Sequence, residues 1–78
     1  MSKIKIITFG VITDKINEKE FVVEGINDTD SLMIYLIKQY PSLIDAKMSI
    51  AVNKNIIEQN TALSENSEVA LLPPFSGG

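Results

Sequence analysis

Seventy-eight residues, 45% hydrophobic and 22% charged, carry seven basic against ten acidic side chains for a net charge of −3. That length holds one compact domain, and the balance of apolar and charged residues excludes a disordered chain. Cys and His are both absent, which removes disulfides, a thiolate nucleophile, the commonest general base and the usual transition-metal ligands. Every basic residue is Lys, so the chain has no bidentate fork for phosphate and its acidic balance repels nucleic acid. No apolar run approaches the ~20 residues of a membrane span and no secretory pattern opens the chain, so a cytoplasmic protein with neither nucleic acid nor membrane as partner is expected.

Residues 3–9 alternate as a strand, with Ile4, Ile6 and Thr8 on one face, Lys3, Lys5, Ile7 and Phe9 on the other, and Gly10 closing it. Residues 13–18 read as a polar hairpin connection. Residues 19–24 form a second strand that sets Phe21 and Val23 opposite Glu20, Val22 and Glu24. A helix follows, with Asn27, Asp28 and Thr29 as candidate N-caps and an apolar stripe at Leu32, Met33, Leu36 and Tyr40. Tyr35 and Tyr40 read as core or edge packing beside that stripe. Pro41 ends the helix, because proline disfavours helical geometry in the residue before it. Met48, Ile50 and Val52 alternate as a third strand, Asn53, Lys54 and Asn55 make a turn, and Ile56 and Ile57 begin a short return. A turn at residues 64–67 leads to a last strand over residues 69–72. One helix on one face of a mixed sheet is an α+β roll with its first and last strands adjacent.

Side-chain chemistry has few candidates. The carboxylates fall in turns, at the helix start or on solvent-facing strand positions, where solvation is their ordinary role. Asp28, Thr29 and Asp30 lack the oxygen count and glycine spacing of a cation loop. The chain end is different: Leu71-Leu72-Pro73-Pro74-Phe75-Ser76-Gly77-Gly78. Pro73 and Pro74 cannot donate to a ladder, so they stop pairing and stiffen the exit. Phe75 is an aromatic anchor, and Gly77 and Gly78 can thread a channel too narrow for a side chain. The plain alternative is a strand, a proline stop and a frayed terminus. Strand phase adds a second pointer. If Ile4, Ile6, Val69 and Leu71 form the core, then Ile7, Phe9 and Leu72 face outward and merge with Phe75 into an apolar patch suited to a protein partner. The alternative is that other segments of the chain cover them.

These features resemble the ubiquitin-like sulfur carriers, in the branch of the molybdopterin synthase small subunit (MoaD type). The likeness spans the chain: an opening strand ending in Phe9-Gly10, a helix closing at Tyr40-Pro41, Ala51-Val52-Asn53, and above all the terminal LLPPFSGG. It departs from the family at residues 11–14, where an Arg-containing segment is usual, and at Asn66-Ser67, where Gly-Asp is usual. The resemblance implies a ubiquitin-like β-grasp fold over residues 1–74 with a tail at 75–78. It implies that the Gly78 carboxylate is adenylated by an E1-like activating enzyme (MoeB type) that uses ATP, and is then converted to a thiocarboxylate. Ser76 and Gly77 would thread the tail into the large synthase subunit (MoaE type), against which Ile7, Phe9, Leu72, Pro73, Pro74 and Phe75 would dock. On that reading the chain works in a hetero-oligomer, binds no cofactor and supplies no catalytic side chain. Carriers for thiamine or cysteine synthesis (ThiS type), a ubiquitin-like protein modifier, and a binding domain with an accidental Gly-Gly are the other readings.

Overall fold

The computed structural model describes residues 3–73. Strand β1 (Lys3–Thr8) leads into helix α1 (Gly10–Ile16) and strand β2 (Glu20–Glu24). Helix α2 (Thr29–Gln39) and a 3-10 turn (Pro41–Asp45) precede strands β3 (Ser49–Val52), β4 (Asn55–Ile57) and β5 (Glu68–Leu72). The strands form one sheet in the order β2-β1-β5-β3-β4. β1 and β5 pair in parallel, and the other neighbours pair antiparallel. Helix α2 packs through Leu32 and Leu36 on the inner face of this sheet, which is the α+β roll expected from the strand phases and the β-grasp fold that the resemblance implies.

Alternation decides which face is core. Ile4 and Ile6 from β1 and Val69 and Leu71 from β5 are fully buried together with Leu32 and Leu36 of α2. Each such side chain contributes about 1.5–3 kcal/mol on leaving water. Tyr40 closes one end of the core with its ring centroid 6.1 Å from that of Phe21. Tyr35, by contrast, points outward at 38% exposure and is not part of the packing. Helix α2 ends as proline requires: Tyr40 is its C-cap and Pro41 opens the 3-10 turn. The β3–β4 turn holds Asn53 and Lys54 at φ 49° and 75°. Asn53 Oδ1 accepts the Glu68 N–H at 2.9 Å, which ties that turn to the start of β5.

Residues 10–16 correct the expected hairpin connection: they form α1. Ile12 and Ile16, one helical turn apart, are buried in the core while the residues between them are polar. The helix terminates on Asn17 at φ 65°, whose N–H returns to the Thr13 carbonyl. Thr8, buried at the end of β1, shares a 2.9 Å hydrogen bond with Thr13 and so fastens strand to helix.

The N-terminus of α2 is fixed by side chains from a distant loop. Asp28 Oδ1 accepts the Ser31 N–H at 3.0 Å, and Asn60 Nδ2 donates to Asp28 Oδ2 at 3.1 Å. Asn60 Oδ1 in turn accepts the Asp30 N–H at 2.9 Å. Hydrogen bonding from Ser31, then from Asn60, holds the Asp28 carboxyl below its ordinary value. Pro74 to Gly78, and with them the expected boundary after residue 74, lie outside the described residues.

Two outcomes follow from this packing. Ile12→Ala lowers stability by about 3 kcal/mol in a urea titration, because α1 is part of the core; a surface connection would lose under ~0.5 kcal/mol. The Asp28 carboxyl is depressed on folding, so its stabilisation is present at neutral pH and is lost as pH falls through the folded-state value. The melting-temperature gap between wild type and Asp28→Ala therefore narrows below about pH 4, and a gap that stayed constant down to pH 2 would contradict the cap.

Candidate functional site

The outer face of the sheet is the side away from α2. In register across its centre stand Ile7, Ala70, Ala51 and Ile56, contributed by β1, β5, β3 and β4. One step along, the Phe9 N–H donates to the Leu71 carbonyl at 3.2 Å, extending the parallel ladder past β1 and bringing Phe9 beside Leu72. The two alanines floor a depression of about 370 Å³ whose apolar walls are Ile7, Phe9, Leu72 and Ile56. Lys54 and Glu68 give it one polar margin. Phe9 and Ile56 stand 46% and 57% exposed. Ile7 and Leu72 are half-buried by their sheet neighbours.

The structure thus brings Ile7, Phe9 and Leu72 together on one surface, as the strand phases predict, and places half-buried Pro73 at its edge where β5 stops. Pro73 has no N–H to continue the ladder. The remaining predicted site residues, Pro74, Phe75, Ser76, Gly77 and Gly78, lie outside the described residues. Sequence reasoning missed Ala51, Ala70 and Ile56. Small residues on an outer strand face carry no hydrophobic signal of their own, although Ile56 breaks the polar run around it and could have been noticed.

A roomier groove of about 440 Å³ opens between the first turn of α2 and the β3–β4 edge, with Met33, Met48 and Ile57 inside and Asp30 and Glu58 on its rim. Size does not decide between the two. The smaller depression is the one built on β5, the strand that leads to the chain end.

The charged groups are dispersed. Lys5 and Glu20 pair at 3.2 Å on the surface, both well exposed, an interaction worth at most ~1 kcal/mol. Among the described residues, no three carboxylates converge to hold a metal ion, every buried side-chain N or O atom has a hydrogen-bond partner, and no helix is long and apolar enough to cross a membrane. What the face offers is shape and apolar contact, with Lys54 and Glu68 as the charged groups at its margin.

Known proteins agree with this architecture. The ThiS family model matches residues 6–78. A Helicobacter pylori chain, solved in a complex of subunits 1 and 2 of molybdopterin-converting factor, is 28% identical with a TM-score of 0.72, over 97% of this chain and 99% of that one. Small archaeal modifier protein 1 of Methanosarcina acetivorans superposes with a TM-score of 0.82 at 22% identity, covering 100% of this chain and 98% of that one. A Pyrococcus furiosus protein named for molybdopterin converting factor subunit 1 reaches 0.85 at 18% identity, over 96% and 100% of the two chains.

If the outer face is a surface and not core, Phe9→Lys changes the unfolding free energy by less than about 1 kcal/mol, whereas Leu71→Ala on the opposite face costs about 3 kcal/mol. Equal losses in a denaturant titration would show that Phe9 is a packing residue.

Proposed function

The chain belongs to the ThiS family of ubiquitin-like sulfur carriers, and from that premise we propose that it is the sulfur-carrying subunit of a molybdopterin synthase. The observation that carries this reading is the closing LLPPFSGG, whose first two residues both belong to β5, Leu71 in the core and Leu72 on the outer face. The Helicobacter pylori likeness, a chain solved with a second subunit of molybdopterin-converting factor, supports the same branch.

The chemistry required of this chain is main-chain chemistry. A terminal carboxylate is ionised at neutral pH and is a poor acyl donor. In the proposed cycle an E1-like enzyme of MoeB type binds ATP. An oxygen of the Gly78 carboxylate attacks the α-phosphorus and pyrophosphate leaves. A sulfur nucleophile then displaces AMP, forming the C–S bond of a thiocarboxylate. The tail enters the large MoaE-type subunit, where its sulfur displaces an oxygen substituent from a carbon of cyclic pyranopterin monophosphate; water then cleaves the acyl C–S bond, leaving the sulfur on the pterin and a carboxylate on Gly78. Two such transfers complete the dithiolene of molybdopterin. The carrier contributes the reacting terminus and the docking face, and the large subunit contributes the catalytic side chains. Working in this way, in a cytoplasmic hetero-oligomer, the carrier binds no cofactor of its own.

The likeness to small archaeal modifier protein 1 marks the second reading, in which a lysine amine takes the place of the sulfur nucleophile at the same acyl adenylate. Supply of thiamine or cysteine synthesis is a third. Co-expression with an activating enzyme and intact-mass analysis separates carrier from modifier. A carrier gains the mass difference of one sulfur for one oxygen, and a modifier yields heavier conjugates.

Two outcomes are expected in an assay reconstituted with the large subunit. Deleting Gly78 abolishes molybdopterin formation while the melting temperature is unchanged; product from the deletion variant would refute the terminus as reactive group. Phe9→Lys weakens association with the large subunit by about 2 kcal/mol, roughly thirtyfold in Kd, and unaltered affinity would remove the outer face from the interface.

A further inference from the structure

Gly10 joins β1 to α1 and sits directly under the end of β5. Its φ is +53°, and a Cβ added to it would lie 3.1 Å from Cγ of Pro73, with Cβ and Cδ of the same ring at 3.8 and 3.9 Å. Two features therefore disfavour a side chain at Gly10: its backbone is left-handed, and a methyl group there would press on the proline ring, which would have to give by a few tenths of an ångström. The junction beneath the ring is held firmly. The Phe9 N–H donates to the Leu71 carbonyl, and the Ile12 N–H donates to the Phe9 carbonyl at 3.1 Å. Ile12 and Ile16 anchor α1 in the core one turn further on. The ring also fixes its own φ near −65°.

We propose that Gly10 is a positioning residue for the C-terminal reacting group: its bare Cα is the seat of Pro73, and that seat sets the direction in which β5 hands the chain on towards Gly78. The inference rests on the reading that the terminus is what reacts. It assigns α1 a purpose beyond packing, since the helix braces the junction from which the tail departs.

The fold contains its own control. Gly25 has φ +82°, but a methyl group placed on its Cα would meet nothing within 4 Å. Gly25→Ala therefore reports backbone strain alone, and Gly10→Ala reports strain plus displacement of Pro73. The full-length chain is compared as wild type, Gly10→Ala, Gly25→Ala, Pro73→Ala and the double variant Gly10→Ala/Pro73→Ala. Three readouts are taken: melting temperature, kcat/KM for pyrophosphate release with the activating enzyme and ATP, and residual dipolar couplings of the Leu72 amide and the Pro73 Cα–Hα bond. Both glycine variants lower the melting temperature. Only Gly10→Ala changes the Pro73 coupling and lowers kcat/KM, by about tenfold or more, as a displaced reacting group should. Removing the ring atoms in the double variant recovers part of that loss.

If Gly10→Ala matches Gly25→Ala in coupling and in kcat/KM, the positioning role is overturned. If wild type itself releases no pyrophosphate, the reading of the terminus falls, while the couplings still decide whether Gly10 seats Pro73. Should Gly10→Ala fail to fold, Pro73→Ala alone lifts the ring from its seat, and an unchanged coupling at residue 73 would overturn the proposal.

Discussion

The parallel pairing of β1 with β5 is the constraint from which the rest follows. It runs in register from Lys5 opposite Glu68 to Thr8 opposite Leu71, and the Phe9 N–H extends it by one more bond. Parallel neighbours cannot be joined by a tight turn. The chain between them must therefore make the whole excursion through α1, β2, α2, β3 and β4, which wrap the pair on both edges and one face. The inward residues of the two strands become the centre of the core. The outward ones, Ile7, Phe9, Ala70 and Leu72, have no covering layer among the described residues and line the depression proposed as the docking face.

The same pairing explains how a protein without Cys, His or a convergent carboxylate cluster can take part in a reaction. On the proposed reading the chemistry is displaced onto the main chain. On that reading the fold must provide a firm origin for the terminus and a surface by which a partner recognises it. Both are placed at one corner: β5 ends beside Phe9, and Pro73 rests on the glycine that opens α1.

Much of this was legible in the residues. Strict alternation in residues 3–9 and 69–72 reveals both faces of the central pair, because a period of two assigns every side chain at once. The cap at Asp28 and the stop at Pro41 bound α2 within a residue or two. Helix α1 was not legible. Only Ile12 and Ile16 carry its helical period, and a seven-residue helix is stable through tertiary burial more than through its own propensity. The Asn60 contribution to the α2 cap was equally hidden, since it reaches across 32 residues of sequence to Asp28. The alanine floor of the outer face became visible only with the register of four strands in place. The terminal motif, in contrast, lies for the most part outside the described residues, and its proposed meaning is chemical and does not depend on packing.

Titration of isotope-labelled carrier with the large synthase subunit, followed by amide chemical shifts, tests the central claim most directly. Saturable shifts concentrated at Ile7, Phe9, Ala70 and Leu72, with α2 undisturbed, are the predicted result. Shifts confined to the groove between α2 and the β3–β4 edge, leaving the β1–β5 face silent, would contradict it.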